Sequence, residues 1–214
     1  MPNIRLAKKE LAERGRRLST LIDKELWSEK RGIYLNKDWH GHFSPKLSPT
    51  HFYPLMAGIP SSSRASRLID EHLLNPNEFL GTYMIPMISR DDPAFVDQTY
   101  WRGRIWAPTN FLVTEGLRRA GHYDAASRIT RAGFEMFLRC WKDHGIVGEN
   151  YNAITGESEQ SDRFYHWGGL LVYMAIQEIV DFQVWDDSTR TGTAPQYLAP
   201  IRNVPVGDQR KNFD

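Results

Sequence analysis

The chain has 214 residues, enough for one large domain or two small ones. Its 27 Lys and Arg against 26 Asp and Glu leave a formal charge of +1, so there is no basic excess to suggest nucleic acid as a partner. A single cysteine, Cys140, excludes an intrachain disulfide, and 41% hydrophobic with 25% charged residues is an ordinary balance for a soluble globular protein.

The N-terminal string MPNIRLAKKELAERGRR is charged and lacks the apolar core of a signal peptide. Leu11, Leu18, Ile22 and Leu26 recur at helical spacing, which predicts a helix over about 5–27, ended by Gly32. The segment 33–54 is loop-like, with three prolines, a glycine and no period. A short helix is expected over 51–59, stopped by Pro60, and Ser61 to Ser63 offer a cap for a helix through Leu74. Another irregular stretch, 81–100, carries Pro86 and the pair Asp91 and Asp92 before Pro93. A helix over 105–120 follows, with Pro108 suited to its first turn and Gly121 to its C-terminal cap. Asp124 is placed to cap the next helix, whose apolar stripe is Ile129, Gly133, Met136, Phe137, Cys140 and Trp141. Cys140 on that stripe reads as a small buried residue. Gly145 stops this helix, 148–163 is a polar loop, and 167–182 is the most apolar helix. Its run of seven apolar residues, 170–176, is too short to span a bilayer, so no membrane association and a cytoplasmic location are expected. The tail, 186–214, is rich in Pro, Thr and Asn without periodicity and is expected to be irregular or disordered. No sustained alternation of polar and apolar residues predicts a strand, so residues 1–185 read as an all-α domain.

Two strings stand out chemically. YWRGRIWAPTNF (100–111) flanks two arginines with tryptophans at a helix start. VGENYNAITGESEQSDRFYHWGG (147–169) sets one glutamate beside Asn150, Tyr151 and Asn152, with His166 and Trp167 further on. Aromatic faces stack on the C–H faces of sugars, planar donors reach hydroxyl rims, and glycosidic bonds are cleaved by carboxyl pairs. Glu149 is the candidate carboxylate to hold and deprotonate a water. Trp101, Arg102, Arg104, Trp106, Asn110, Tyr151, His166 and Trp167 are the candidate substrate-binding residues. Asp91, Asp92 and Asp97 are the nearby carboxyl groups, although an acidic pair before a proline also suits a turn or cap. His40 and His42 in WHGHF sit two apart, but no third ligand is evident, and no metal or cofactor is expected.

Five strings resemble glycoside hydrolase family 63 and its bacterial mannosylglycerate hydrolase-like relatives, and more distantly the trehalases: WSEKRGIY (27–34), SPTHFYPLMAGIP (48–60), IPMISRDDPAFVDQTYWRGRIWAPTNF (85–111), VGENYNAITG (147–156) and FYHWGGLL (164–171). The resemblance implies a partial α/α toroid, the C-terminal portion of an (α/α)6 barrel. It also implies an inverting hydrolase of α-linked glucosides or mannosides whose partner is an oligosaccharide or small glycoside. Glu149 matches the family's base, Trp101, Arg102 and Trp106 its sugar-lining string, and Trp167 the aromatic at its last helix start. The family's general acid is an aspartate in an earlier segment that matches nothing in this chain. The resemblance therefore implies a domain without autonomous activity, completed by an N-terminal half-domain or a homodimer mate. A non-catalytic sugar- or partner-binding half-toroid and a truncated gene product are the alternatives.

Overall fold

The computed structural model describes residues 4–183, 188–191, 201–206 and 209–213. Helix α1 (Ile4–Leu26) ends six residues before Gly32. Trp27, Ile33 and Tyr34 explain the early stop, since all three bury their side chains. They do so by turning the chain into an antiparallel pair, β1 (Trp27–Ser28) with β2 (Ile33–Tyr34), with Gly32 at φ +70 in the connecting turn. A 3-10 turn (Pro49–Phe52) runs into α2 (Tyr53–Met56). Helix α3 (Ser62–Arg67) starts where its cap predicts, with Ser61 Oγ accepting from the Arg64 N–H, and continues as a π-helical stretch over Leu68–Leu73.

A 3-10 turn over Pro93–Asp97 and the two-residue strand β3 (Ile105–Trp106) lead into α4 (Ala107–Arg119). Gly121 closes α4 at φ +82. Its N–H donates to Arg118 O at 3.0 Å and that of His122 to Leu117 O at 2.9 Å, the paired bonds of a Schellman stop. This stop sets His122 at the cap of α5 (Tyr123–His144), so Asp124 lies inside the first turn instead of capping it. Gly145 ends α5 as expected, at φ +63. Strand β4 (Asn150–Tyr151) follows, then a 3-10 turn (His166–Gly169) and α6 (Leu170–Gln177).

The last helix is shorter than its apolar run suggests. After Gln177 the chain extends into β5 (Val180–Gln183), paired antiparallel with β6 (Ser188–Thr191). β7 (Ile201–Val206) and β8 (Gln209–Phe213) form a second hairpin, with an irregularity in register between Ile201 and Val204. The tail is therefore paired, not irregular, at these residues. Valines, isoleucine and threonines favour extended backbone there, and period-2 signals four to six residues long are too short to stand out in sequence. The rest of 186–214 lies outside the described residues.

Helix α4 is the hub and packs on α2, α5 and α6. Leu55, Val113, Leu117, Ile129, Met136, Cys140, Leu171 and Met174 fill the space between them. Gly116 lets α4 approach α2, since a Cβ there would lie 2.8 Å from Met56 N. Three long connections, 27–48, 74–106 and 145–165, lead toward the N-terminal ends of α2, α4 and α6, and they are tied to one another. Ser89 N donates to Leu47 O at 3.1 Å, Lys46 pairs with Asp92 at 2.6 Å, and Arg104 donates to Asn150. All three connections therefore gather at one end of the helices. No helix among the described residues is long and apolar enough to cross a membrane.

Candidate active site

The two chemically notable strings meet directly. β3 pairs antiparallel with β4, setting Ile105 opposite Tyr151 and Trp106 opposite Asn150. Glu149 is thus the residue next to this pair, at the mouth of α4. It is half-buried, its N–H donates to Asp162 O at 3.1 Å, and its Oε2 accepts from Asn150 Nδ2 at 3.2 Å.

Beside it stands an aromatic wall. Trp101 and Trp106 stack with centroids 4.0 Å apart and planes at 16°. Trp106 is 1% exposed and anchors the stack, while Trp101 at 47% offers its outer face. Trp106 Nε1 donates to Tyr100 O at 3.2 Å, and the Tyr100 ring meets Trp106 edge-on at 4.9 Å. Trp167 lies 6.2 Å from Trp106 and is held edge-on by Tyr165 at 4.9 Å; His166 stacks on Tyr165 at 5.2 Å. Tyr100 and Tyr165 also belong to this wall, beyond the candidate residues. Their signal was adjacency to a tryptophan string.

A tight turn presents the wall. Thr99 and Arg102 exchange backbone hydrogen bonds at 3.0 and 2.8 Å, and Gln98 and Tyr100 take φ +45 and +50. Non-glycine residues rarely adopt this region, and functional sites are where such strain collects. Gly103 is required, because at φ +99 a Cβ would sit 2.5 Å from Phe95 O.

The remaining candidates separate into exposed and buried groups. Arg102 is exposed and pairs with Asp97 at 3.1 Å. Arg104 is 2% exposed, donating to Asn150 Oδ1, to Gln98 O at 3.3 Å and to Glu159 O at 2.6 Å. Asn110 is also buried: its Oδ1 accepts from Ile85 N at 2.6 Å, and its Nδ2 donates to Ile85 O and Trp106 O. It fastens segment 85–87 to the first turn of α4. Tyr151 is fully buried, and burial pushes its phenol upward from the ordinary value. These three shape the wall from behind. A cavity of about 450 Å³ lies at this end, but it is lined by His144, Ile146, Glu157, Ser161 and Arg163 among others and by none of the candidate residues.

The aspartates upstream are committed to structure. Asp92 caps the 93–97 turn, accepting from Ala94 N at 2.9 Å. Lys46 beside it, with that N–H, holds its carboxyl below the usual aspartate value. Asp91 accepts from Ser89 Oγ, and Asp97 holds Arg102. His40 and His42 lie on an exposed turn around Asp38, whose Oδ1 accepts from both their N–H groups at 2.9 Å. No group of three or more metal-ligating side chains is found among the described residues.

A family model, the mannosylglycerate hydrolase MGH1-like glycoside hydrolase domain, matches residues 5–167. The mannosylglycerate hydrolase MGH1 of Selaginella moellendorffii is 35% identical over 135 residues, covering 61% of this chain and 26% of that protein. The GH63 mannosylglycerate hydrolase of Thermus thermophilus, solved in complex with glucose, superposes with a TM-score of 0.62 at 27% identity over 71% of this chain and 34% of its own. Neutral trehalase Nth1 from Saccharomyces cerevisiae superposes at 0.62 with 20% identity, over 74% of this chain and 28% of its own, a likeness of fold alone. The helix pairs are thus a portion of an α/α toroid. The chain spans between about a quarter and a third of the length of these three proteins.

Proposed function

The chain belongs to the mannosylglycerate hydrolase MGH1-like glycoside hydrolase domain family, within glycoside hydrolase family 63, and we propose that it forms the base-bearing side of an inverting α-glycosidase site. The observation that carries this reading is the β3–β4 register, which pairs Asn150, the neighbour of Glu149 in the chain, with Trp106, on which Trp101 stacks. Glu149 is the general base that takes a proton from the attacking water. The outer face of Trp101, with Trp167 and His166, receives the sugar ring, and Arg102 contacts its hydroxyls. Arg104, Asn110 and Tyr151 fix the walls. The substrate class is an α-linked glucoside or mannoside, mannosylglycerate included, and the location is cytoplasmic.

Inversion requires a second carboxyl about 6.5–9.5 Å away to protonate the leaving oxygen. Asp92 suits this poorly, because Lys46 keeps it ionised. Asp91 and Asp97 are occupied by Ser89 and Arg102. In this reading a general acid from outside residues 1–214 completes the site, and these residues alone bind sugar without turning it over.

The test follows tryptophan fluorescence and sugar release together. Glucose or mannosylglycerate should quench the Trp101 stack in the 214-residue chain with no hydrolysis. Adding an acid-bearing N-terminal half-domain should restore hydrolysis. Glu149→Gln should then lower kcat by about 100- to 10,000-fold while leaving the quench in place. Quenching without turnover under every complementation would instead favour a non-catalytic sugar-binding half-toroid, a reading that the occupied aspartates also support. Full activity in Glu149→Gln would remove the base assignment.

A further inference from the structure

Glu149 does not stand alone. Its Oε2 accepts from Asn150 Nδ2 at 3.2 Å, and Asn150 Oδ1 accepts from Arg104 Nε. The chemistry of the pair removes any ambiguity about which way the amide points. A guanidinium has only donors, so the amide end facing Arg104 must be the oxygen. The amide NH2 is then obliged to face Glu149. Arg104 is itself locked, 2% exposed, with Gln98 O at 3.3 Å and Glu159 O at 2.6 Å holding its other nitrogens. Gln98 is in turn pinned, its Oε1 accepting from Ala153 N at 2.7 Å and its Nε2 donating to Phe95 O at 2.7 Å. The Asn150 carbonyl accepts from Ser158 and Ser161 at 3.1 and 3.3 Å. The bonds that join Asn150, Arg104 and Gln98 are buried, and those to Glu149, Glu159 O and Ser161 are part-buried.

We infer that Arg104 and Asn150 are positioning residues that hold the Glu149 carboxylate by one oxygen, Oε2, and leave the other for the water. The inference rests on Glu149 being the base. A base misplaced by about 1 Å can lose on the order of 100-fold in rate, so a device that fixes one oxygen matters at that scale. A free glutamate side chain would populate several rotamers, whereas one held through a buried amide keeps one.

Asn150→Asp is the discriminating change. Aspartate has the same shape and still accepts from Arg104, now as an ion pair, so a purely structural role would be kept or strengthened. It loses the NH2 donor and sets a carboxylate against Glu149. The inference expects unchanged thermal stability, near-constant KM and a kcat lower on the order of 100-fold in the complemented enzyme. Wild-type kcat in Asn150→Asp, alongside an inactive Glu149→Gln, would overturn the inference and leave the base reading standing.

A second measurement does not depend on turnover. In the 214-residue chain with nitrogen-labelled asparagine, the two Asn150 amide protons should be resolved. Glu149→Ala should shift upfield the one that faces the carboxylate, and Arg104→Met, which removes the donor at Asn150 Oδ1, should shift the amide nitrogen. Signals unchanged in Glu149→Ala would overturn the inference even if Glu149→Gln proved the base reading wrong or Arg104→Met failed to fold.

Discussion

α1 and α5 are nearly the same length, 23 and 22 residues, and both carry apolar residues at helical spacing, yet they end in opposite environments. α5 buries Ala125, Ala126, Ile129, Thr130, Gly133, Met136 and Cys140 against α4 and α6. α1 leaves Leu11, Leu18 and Leu21 exposed at 65, 59 and 52%, and only its last turns are fastened. There Ile22 and Leu26 reach the core, Tyr34 Oη donates to Asp23 at 2.6 Å, and Arg64 pairs with Asp23 at 2.7 Å. A periodic stripe specifies a face that gains from burial. It does not specify that the burying surface lies within the described residues. The difference means that equal substitutions on the two helices should have unequal effects.

The largest effect belongs to α5. Met136→Ala removes a side chain that is almost wholly buried, and we expect a loss of about 2–5 kcal/mol, read by urea unfolding. A loss under 1 kcal/mol would mean that the α4–α5–α6 core is not tightly packed. Next is Gly116→Ala at the α4–α2 approach. Alanine gains about 1 kcal/mol of helix propensity, but its methyl meets the fixed backbone nitrogen of Met56 at 2.8 Å. Overpacking of about 1–3 kcal/mol should outweigh that gain, so the variant should melt at a lower temperature.

The joint between the two regions should respond to pH. His72 Nδ1 meets Glu78 Oε2 at 2.6 Å and its Nε2 meets Arg31 O at 2.6 Å, in the turn that follows α1. Both partners are acceptors, so the ring must donate twice and is therefore held as imidazolium. Burial pulls its pKa down, but the bonds to Glu78 and Arg31 outweigh burial, and the net shift is upward. A raised folded value stabilises fully below the ordinary 6.5 and loses that contribution as pH climbs through the folded value. The melting-temperature advantage of wild type over His72→Gln should therefore shrink as pH is raised. An advantage that grew with pH would contradict the protonated assignment.

The smallest effect belongs to α1. Leu18→Ala should change the stability of the 214-residue chain by no more than about 0.5 kcal/mol, because the side chain is mostly in solvent. Light scattering on the same samples sharpens the comparison. A larger loss accompanied by dissociation of a dimer would show that the α1 face is covered in solution by a second copy.

The sequence determined where α1, α4 and α5 run and how α4 and α5 stop, but not the ends of α1 and α6. Periodicity located α1, α4 and α5 to within three residues, Ser61 and Gly121 cap where their chemistry requires, and Cys140 is buried as its stripe implies. These are local matters, decided by the backbone and by side chains three or four residues apart. The sequence also picked out the two strings around Trp101 and Glu149, because aromatic, guanidinium and carboxylate groups are visible as residue types. Only the tertiary structure decided how they meet. The two-residue pairing of β3 with β4 joins residues 44 and 46 apart in the chain, and no periodicity can appear in two residues. The same pairing divides the arginines, exposing Arg102 and burying Arg104 against Asn150. The two arginines flank the same Gly103 in WRGR, and Gly103 at φ +99 turns the chain between them ahead of that pairing.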